Sequence, residues 1–257
     1  MPVQLSSTRS PRVQALRELH ERAGRRAAQR FIVEGPHAVE QALARGLVRE
    51  LWVRDDLTVE TSWPVDVIAS APVIKAVSQT QHPQGIVAVC DIPRVDVEQV
   101  LERPGPILIC DQLADPGNVG TLIRTAAAVG AAGVIVTPGS VDPCNDKVVR
   151  SAAGTWFDLP IVDGVPDAEI DRMLKADGRM LIALDAQAPD DLFAMVQAGA
   201  IPANAAWIIG SEAHGLRGAF TPDHVVHIPM VAGVESLNAA VAGALCLYAH
   251  RHAPSNP

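Results

Sequence analysis

Residues 107–137 read ILICDQLADPGNVGTLIRTAAAVGAAGVIVT. An apolar run, Ile107–Cys110, opens into a loop of Asp, Pro, Gly and Asn, a helical stretch follows over 117–129, and a second apolar run closes the unit at 134–137. Two short strands separated by a helix are the mark of parallel neighbours, which need a crossover of a dozen residues or more. Their unbroken apolar character fits strands covered on both faces. The alternation continues with strands at 159–162, 180–185, 207–209 and 225–228, and with helices at 146–153, 168–176, 190–197 and 237–250. An α/β fold built on a parallel sheet is therefore expected, with ligands at the carboxyl ends of its strands.

Upstream, Leu16, Leu19 and Ala23 recur at helical spacing in an Arg-rich stretch that ends near Gly24, and Arg25, Arg26 and Arg30 lead into Phe31, Ile32 and Val33. A helix opened by Pro36, strands at 50–53, 65–69 and 86–90, and a helix at 72–78 complete a smaller α/β module. Residues 91–106 carry Pro93, Pro104, Gly105 and Pro106 around a charged, weakly periodic stretch, the composition of a linker. Two domains are expected, 1–100 and 105–257.

The 257 residues are 48% hydrophobic and 19% charged, with Gly and Pro in no fixed period, which excludes a disordered, collagen-like or coiled-coil chain. No apolar run approaches the ~20 residues of a membrane span, and the Arg-rich start lacks an apolar signal core, so a cytoplasmic protein without membrane contact is expected. Cys90, Cys110, Cys144 and Cys246 are scattered without a C-x-x-C pair, as in buried thiols of a reducing compartment. Net charge is −8, yet residues 1–54 hold ten Arg against five Glu while the remainder holds 11 Lys and Arg against 24 acids. A polyanion would meet the +5 segment first, with Arg25, Arg26 and Arg30 as candidate RNA contacts; a solvated helix face would carry the same charges.

Three strand ends carry Gly beside polar groups: Asp111 to Gly120 (DQLADPGNVG), Gly210 to Leu216 (GSEAHGL) and Pro229 to Asn238 (PMVAGVESLN). Such loops can wrap a small ligand in backbone N–H and C=O groups, although each alone also reads as a tight turn. The common alternatives fail. There is no G-x-G-x-x-G and no GK[ST], which disfavours a nicotinamide oxidoreductase, and no G-x-S-x-G elbow for a serine hydrolase. His224 and His227, three apart on a strand, point to opposite faces, so no metal site is expected.

Taken in order, the three loops resemble those of the SpoU, or TrmH-like, branch of the SPOUT superfamily of RNA ribose 2'-O-methyltransferases. The resemblance rests on Asn118-Val-Gly-Thr-Leu-Ile-Arg124, Gly210-Ser-Glu-Ala-His-Gly-Leu216, and Ile228-Pro-Met230 followed by Glu235-Ser-Leu-Asn238 and a small-residue helix. It spans about 105–250, and Phe31-Ile-Val-Glu-Gly35 with its helix resembles the family's N-terminal substrate-binding domain. The resemblance implies a trefoil-knotted catalytic domain, S-adenosylmethionine as cofactor, a homodimer joined through the last helix, and an L30e-like domain that grips RNA, with 23S ribosomal RNA as substrate. Transfer RNA methylation and a catalytically idle RNA-binding protein of the same fold are the alternatives.

By the same resemblance, Arg124, Asn118, Glu212 and Asn238 take catalytic positions, and Gly210, Ile228, Met230, Ser236 and Leu237 take cofactor-binding positions. Arg124 matches an arginine for which a general-base role has been proposed. A guanidinium keeps its proton in proteins while its planar donors suit a phosphate or a developing alkoxide, so positioning and charge stabilisation are expected instead. Ala240 stands where relatives often carry a second serine, and with Asn238 retained the expected consequence is weaker polar support rather than inactivity.

Overall fold

A computed structural model of the chain describes residues 1–210 and 220–254. These form two compact units: Met1–Arg94 with Cys144–Phe157, and Val95–Pro143 with Asp158–Pro257.

The first unit begins with β1 (Val3–Leu5), α1 (Pro11–Glu18), α2 (Arg22–Ala28) and β2 (Arg30–Glu34). The single basic helix expected from the sequence is thus two. Their junction is tight: a Cβ on Gly24 would collide with the Glu18 carbonyl, so glycine lets α2 fold back on the end of α1. Next come α3 (Pro36–Ala44), β3 (Val48–Arg54), β4 (Val67–Ala69), α4 (Ala71–Val77) and β5 (Ile86–Asp91). The sheet runs β1-β4-β3-β5-β2, with β5 antiparallel to both β2 and β3 and the remaining pairs parallel. Val13, Leu16, Trp52, Val67, Ile74 and Val87 are core residues beneath it.

The second unit opens inside the stretch read as a linker, at α5 (Val97–Leu101). Asp96 and Gln99 form a reciprocal capping box there, satisfying two of the backbone N–H groups left unpaired at a helix start. Then follow β6 (Ile107–Cys110), α6 (Pro116–Val129) and β7 (Gly133–Val136). Asp115 caps α6 by accepting from the Asn118 N–H, and Gly130, with φ of +75°, ends it in the left-handed conformation that a Cβ would penalise.

The chain then contributes α7 (Asp146–Ser151) and a 3-10 turn, Thr155–Phe157, to the first unit. Trp156 and Phe157 pack with Phe31 at ring-centroid distances of 4.9 and 6.4 Å, and the His20 ring meets Asp146 at 2.6 Å. Back in the second unit lie β8 (Ile161–Asp163), α8 (Asp167–Ala176), β9 (Leu181–Leu184), β10 (Asp190–Asp191), α9 (Leu192–Gln197), β11 (Ala206–Ile209), β12 (His224–His227) and α10 (Ala239–Arg251). All seven strands are parallel, in the order β10-β12-β9-β11-β6-β7-β8. Strands β6, β7 and β11 are buried along their whole length, which is why they read as continuous apolar runs. Among the described residues no helix is long and apolar enough to cross a membrane.

Helix α10 lies against α6 so closely that a Cβ on Gly243 would meet Leu122 Cδ2 at 2.5 Å and Ile209 Cγ1 at 3.3 Å. That approach sets where α10 starts, and hence where its cap, Asn238, stands.

Candidate active site

The carboxyl ends of β9, β11 and β12 are adjacent in the second sheet, and the segments leaving them bound a cleft of about 970 Å³. Five residues singled out from the sequence line it: Gly210 after β11, Ile228 and Met230 after β12, and Ser236 and Leu237 before α10. Ile228 is buried, Leu237 half-buried and Ser236 exposed, so the cleft joins an apolar floor to a polar rim.

The first and third motifs meet through their asparagines. The Asn238 side-chain N–H donates to Asn118 Oδ1 at 3.0 Å, while its Oδ1 accepts from the Ala240 and Val241 backbone N–H groups. One residue thereby caps α10 and orients the side chain of another 120 positions away. The loop between β6 and α6 is clamped from beneath. Buried Asp111 accepts from the Thr137 hydroxyl at 3.1 Å, the Gln112 N–H reaches that same oxygen, and Ser140 accepts from the Leu113 N–H while donating to the Cys110 carbonyl. Burial raises the Asp111 carboxyl above its ordinary range, with the Thr137 bond opposing.

Arg124 stands on the exposed face of α6, one turn after buried Gly120, and takes part in no ion pair among the described residues. Glu212 lies outside the described residues. Two groups that the sequence reading passed over also line the cleft: Asp185, directly after β9, and His227, the last residue of β12. The signal for Asp185 was its place at a strand's carboxyl end. His227 was considered only as a metal ligand and set aside. Among the described residues no group of three or more His, Cys, Asp or Glu is placed to hold a metal ion.

In the first unit, the basic residues divide. Arg26 and Arg30 are exposed, Arg30 standing 3.7 Å from Asp91. Arg25 departs from expectation. It is 2% exposed, and its guanidinium donates to the Leu19 and His20 carbonyls at 2.9 and 2.7 Å. The fold-back of α2 turns this side chain inward, where it satisfies carbonyls at the end of α1 and cannot meet a polyanion.

A parallel sheet with a cleft at its strand ends, bounded by the loop before a capped small-residue helix, defines an α/β unit of the class that takes small ligands there, in a chain that also holds a second α/β unit. The chain belongs to the SpoU rRNA Methylase family, which it matches over residues 105–248, and residues 10–88 match the MRM3-like substrate binding domain. It is 33% identical, over 95% of its length and 98% of the relative's, to the 23S rRNA (guanosine(2553)-2'-O)-methyltransferase RlmP of Bacillus subtilis. To the 23S rRNA (uridine(2479)-2'-O)-methyltransferase of Streptomyces viridochromogenes it is 31% identical over 90% of this chain and 85% of the other. Among solved structures, the SpoU methyltransferase AviRb of S. viridochromogenes in complex with AdoMet superposes with a TM-score of 0.84 at 28% identity, covering 95% of this chain and 97% of that one.

Proposed function

We propose that this chain is an S-adenosylmethionine-dependent methyltransferase acting on a ribose 2'-hydroxyl of 23S ribosomal RNA. The observation that carries the reading is the convergence of the five cofactor-position residues on one cleft, with the Asn238–Asn118 bond tying the other motif to its edge. The cleft fits the cofactor in size, ligand sites commonly falling at roughly 300–1,000 Å³. It also leaves a polar atom in want of a partner, His227 Nδ1, buried with no hydrogen bond among the described residues.

When bound, S-adenosylmethionine supplies a methyl group on a sulfonium whose departure leaves a neutral thioether. The protein's task is then to present a weak nucleophile in line, and positioning of this kind is worth roughly 7–11 kcal/mol of barrier. Backbone groups at Gly210, Ile228, Met230 and Leu237 and the Ser236 hydroxyl hold the cofactor. Asn238 fixes Asn118, which orients the ribose beside Arg124. Arg124 offers its planar donors to the backbone phosphate and to the charge developing on the 2'-oxygen. Glu212, from the second motif, orients the reacting groups through its acceptor oxygens.

The first unit grips the RNA through Arg26 and Arg30, an L30e-like role that Arg25 supports only by holding α1 and α2 together. The second unit carries the knot and pairs with a second copy. Val241, Leu245 and Tyr248 support the pairing: they lie at i, i+4 and i+7 on α10 and are 50%, 37% and 48% exposed, an apolar stripe left on the outside of the fold.

Arg124→Ala and Arg124→Lys test the mechanism. The alanine variant should retain cofactor binding while single-turnover methylation falls by at least about 10²-fold, the scale of losing one charge-stabilising donor. Lysine should rescue poorly, because it keeps the charge without the fork. Wild-type rates for Arg124→Ala would remove the residue from the mechanism. Mapping of 2'-O-methylation in total RNA, with and without the gene, separates a 23S target from a transfer RNA target or from no target.

A further inference from the structure

The arginines of the first unit are not spread evenly along its sheet. Arg30 opens β2 in register with Asp91, the last residue of β5. The Asp91 N–H donates to the Leu47 carbonyl at 3.0 Å, and the Ile92 N–H to the Gln29 carbonyl at 3.1 Å. These bonds gather segments 26–30, 45–49 and 91–94 at one end of the sheet. Together they hold Arg26, Arg30, Arg45, Arg49 and Arg94, all exposed, against the single acid Asp91. At the other end acids balance the charge: β2 stops at Glu34, which meets Arg150, and Arg54 of β3 pairs with Asp56. Asp91 serves two guanidiniums. Arg49 donates from Nε to Asp91 Oδ2, and Arg30 Nε stands 3.7 Å from Oδ1. Arg49 reaches it from a bulge: Val48 pairs with Cys90 and Glu50 with Val89, so Arg49 is an extra residue in β3, and bulges commonly re-aim a side chain. Surface ion pairs of this kind are worth little to stability. This one engages each arginine at Nε and leaves the terminal amino groups of both without a hydrogen bond among the described residues, with both side chains more than half exposed.

We infer that this end of the sheet docks the phosphate backbone of the substrate RNA through Arg30 and Arg49, and that Asp91 is a positioning residue that holds the two forks ready. This rests on the RNA methyltransferase reading above and adds Arg49 and Asp91 to it. The free edge of each guanidinium is a pair of parallel N–H donors, the pattern that a phosphate accepts bidentately. A nucleic-acid backbone is favoured over an isolated anion because the two forks stand on the strands that flank β5, and Arg26, Arg45 and Arg94 extend the charge around the same end. Asp91 then acts with an inverted sign. One exposed like charge a few ångströms from a phosphate weakens binding by about twofold at physiological salt. Ordering a long side chain in advance strengthens it by about 2- to 12-fold for each arginine. Preorganisation is the larger effect, so the acid favours the anion.

The test is filter binding of a 23S ribosomal RNA transcript over a range of salt, with polyglutamate as a competitor. The full chain would be compared with Arg49→Gln, Arg49→Lys and Asp91→Asn, and with Asp91→Asn placed on an Arg30→Gln, Arg49→Gln background. Arg49→Gln should weaken binding and make the slope of log K against log salt shallower by about 0.7–0.9. Arg49→Lys should keep the slope yet lose about threefold or more in affinity, since the charge stays and the fork goes. Asp91→Asn adds a net positive charge and should nevertheless weaken binding about three- to tenfold; with both arginines already glutamine, the same change should cause no loss. Thermal unfolding of each variant ensures that folded proteins are compared. Tighter binding by Asp91→Asn overturns the positioning role. An unchanged slope and affinity in Arg49→Gln overturn the docking surface while leaving the methyltransferase reading in place. Polyglutamate displacing the RNA at equal total charge overturns RNA as the occupant in favour of an acidic protein. A wild type that neither binds nor methylates the transcript overturns the 23S reading itself, and the surface falls with it.

Discussion

Substituting Gly243 tests the packing that places the candidate site. A Cβ there meets Leu122 Cδ2 at 2.5 Å, well inside contact distance, and Leu122 is fully buried, so its methyl has no solvent to move into. Valine is close to glycine in helix propensity, which leaves crowding as the net effect of Gly243→Val. The added Cβ, crowded against Leu122 and Ile209, and its two methyls should cost about 1–3 kcal/mol, lowering the melting temperature by on the order of 5 °C at this chain length. Gly243→Ala is the internal gauge: it carries the same Cβ contact, offset by up to about 1 kcal/mol of helix propensity and without valine's further methyls, so it should destabilise less than valine. Leu122→Ala by itself opens a cavity and costs about 2–5 kcal/mol. Combined with Gly243→Val, it makes the room that valine needs. The double variant should therefore be more stable than the sum of the singles by about 1–2 kcal/mol. Because α10 begins at the cap that holds Asn118, and Ala242 one residue earlier lines the cleft, cofactor affinity should fall in Gly243→Val and recover in part in the double variant. Thermal unfolding and calorimetry read both quantities. Strict additivity, or a Gly243→Val protein as stable as wild type, refutes the close approach of α10 to α6.

Other perturbations separate structural from functional roles. Arg25→Met should destabilise the chain by about 2–4 kcal/mol, by stranding the Leu19 and His20 carbonyls, whereas Arg26→Gln with Arg30→Gln should leave stability intact and make the slope of log K for RNA against log salt shallower by about 1.5 units. His250 accepts from the Trp207 indole N–H at Nδ1 and donates from Nε2 to the Ala203 carbonyl, and its burial lowers its pKa below the ordinary 6.5. Between that lowered value and 6.5 the unfolded chain binds the proton more readily, so His250's contribution should be full above pH 6.5 and decline as pH falls; the stability gap to His250→Asn, measured by denaturant unfolding, should narrow over that window. Burial pushes the Cys90 and Cys110 thiols up to about 12, and Cys246 is raised as well, so a disulfide reagent at pH 8 should label these three only after unfolding. Rapid labelling of the native protein would contradict their placement.

The amino-acid sequence alone determined the alternation of strands and helices in the second unit, because burial on both faces of a parallel sheet demands unbroken apolar runs that local composition displays. The helix starts near Gly117 and Leu237 were legible too, while the residues that cap them, Asp115 and Asn238, were identified only by the structure. Loops flanking those strands pointed to a candidate ligand site, and five of the residues read from them line one cleft. What it did not determine depends on contacts between residues far apart in the chain. Whether Arg25 faces solvent turns on how α2 folds back over α1, a matter of Gly24 against the Glu18 carbonyl. The assignment of Cys144–Phe157 to the first unit follows from Trp156 and Phe157 finding Phe31, more than a hundred residues away. His227 looked like one half of an unpromising His pair, and Asp185 like an ordinary strand end. Only the order β12-β9-β11 set them side by side, because strand order is decided by how the whole sheet buries its two faces, and no window of local sequence carries that information.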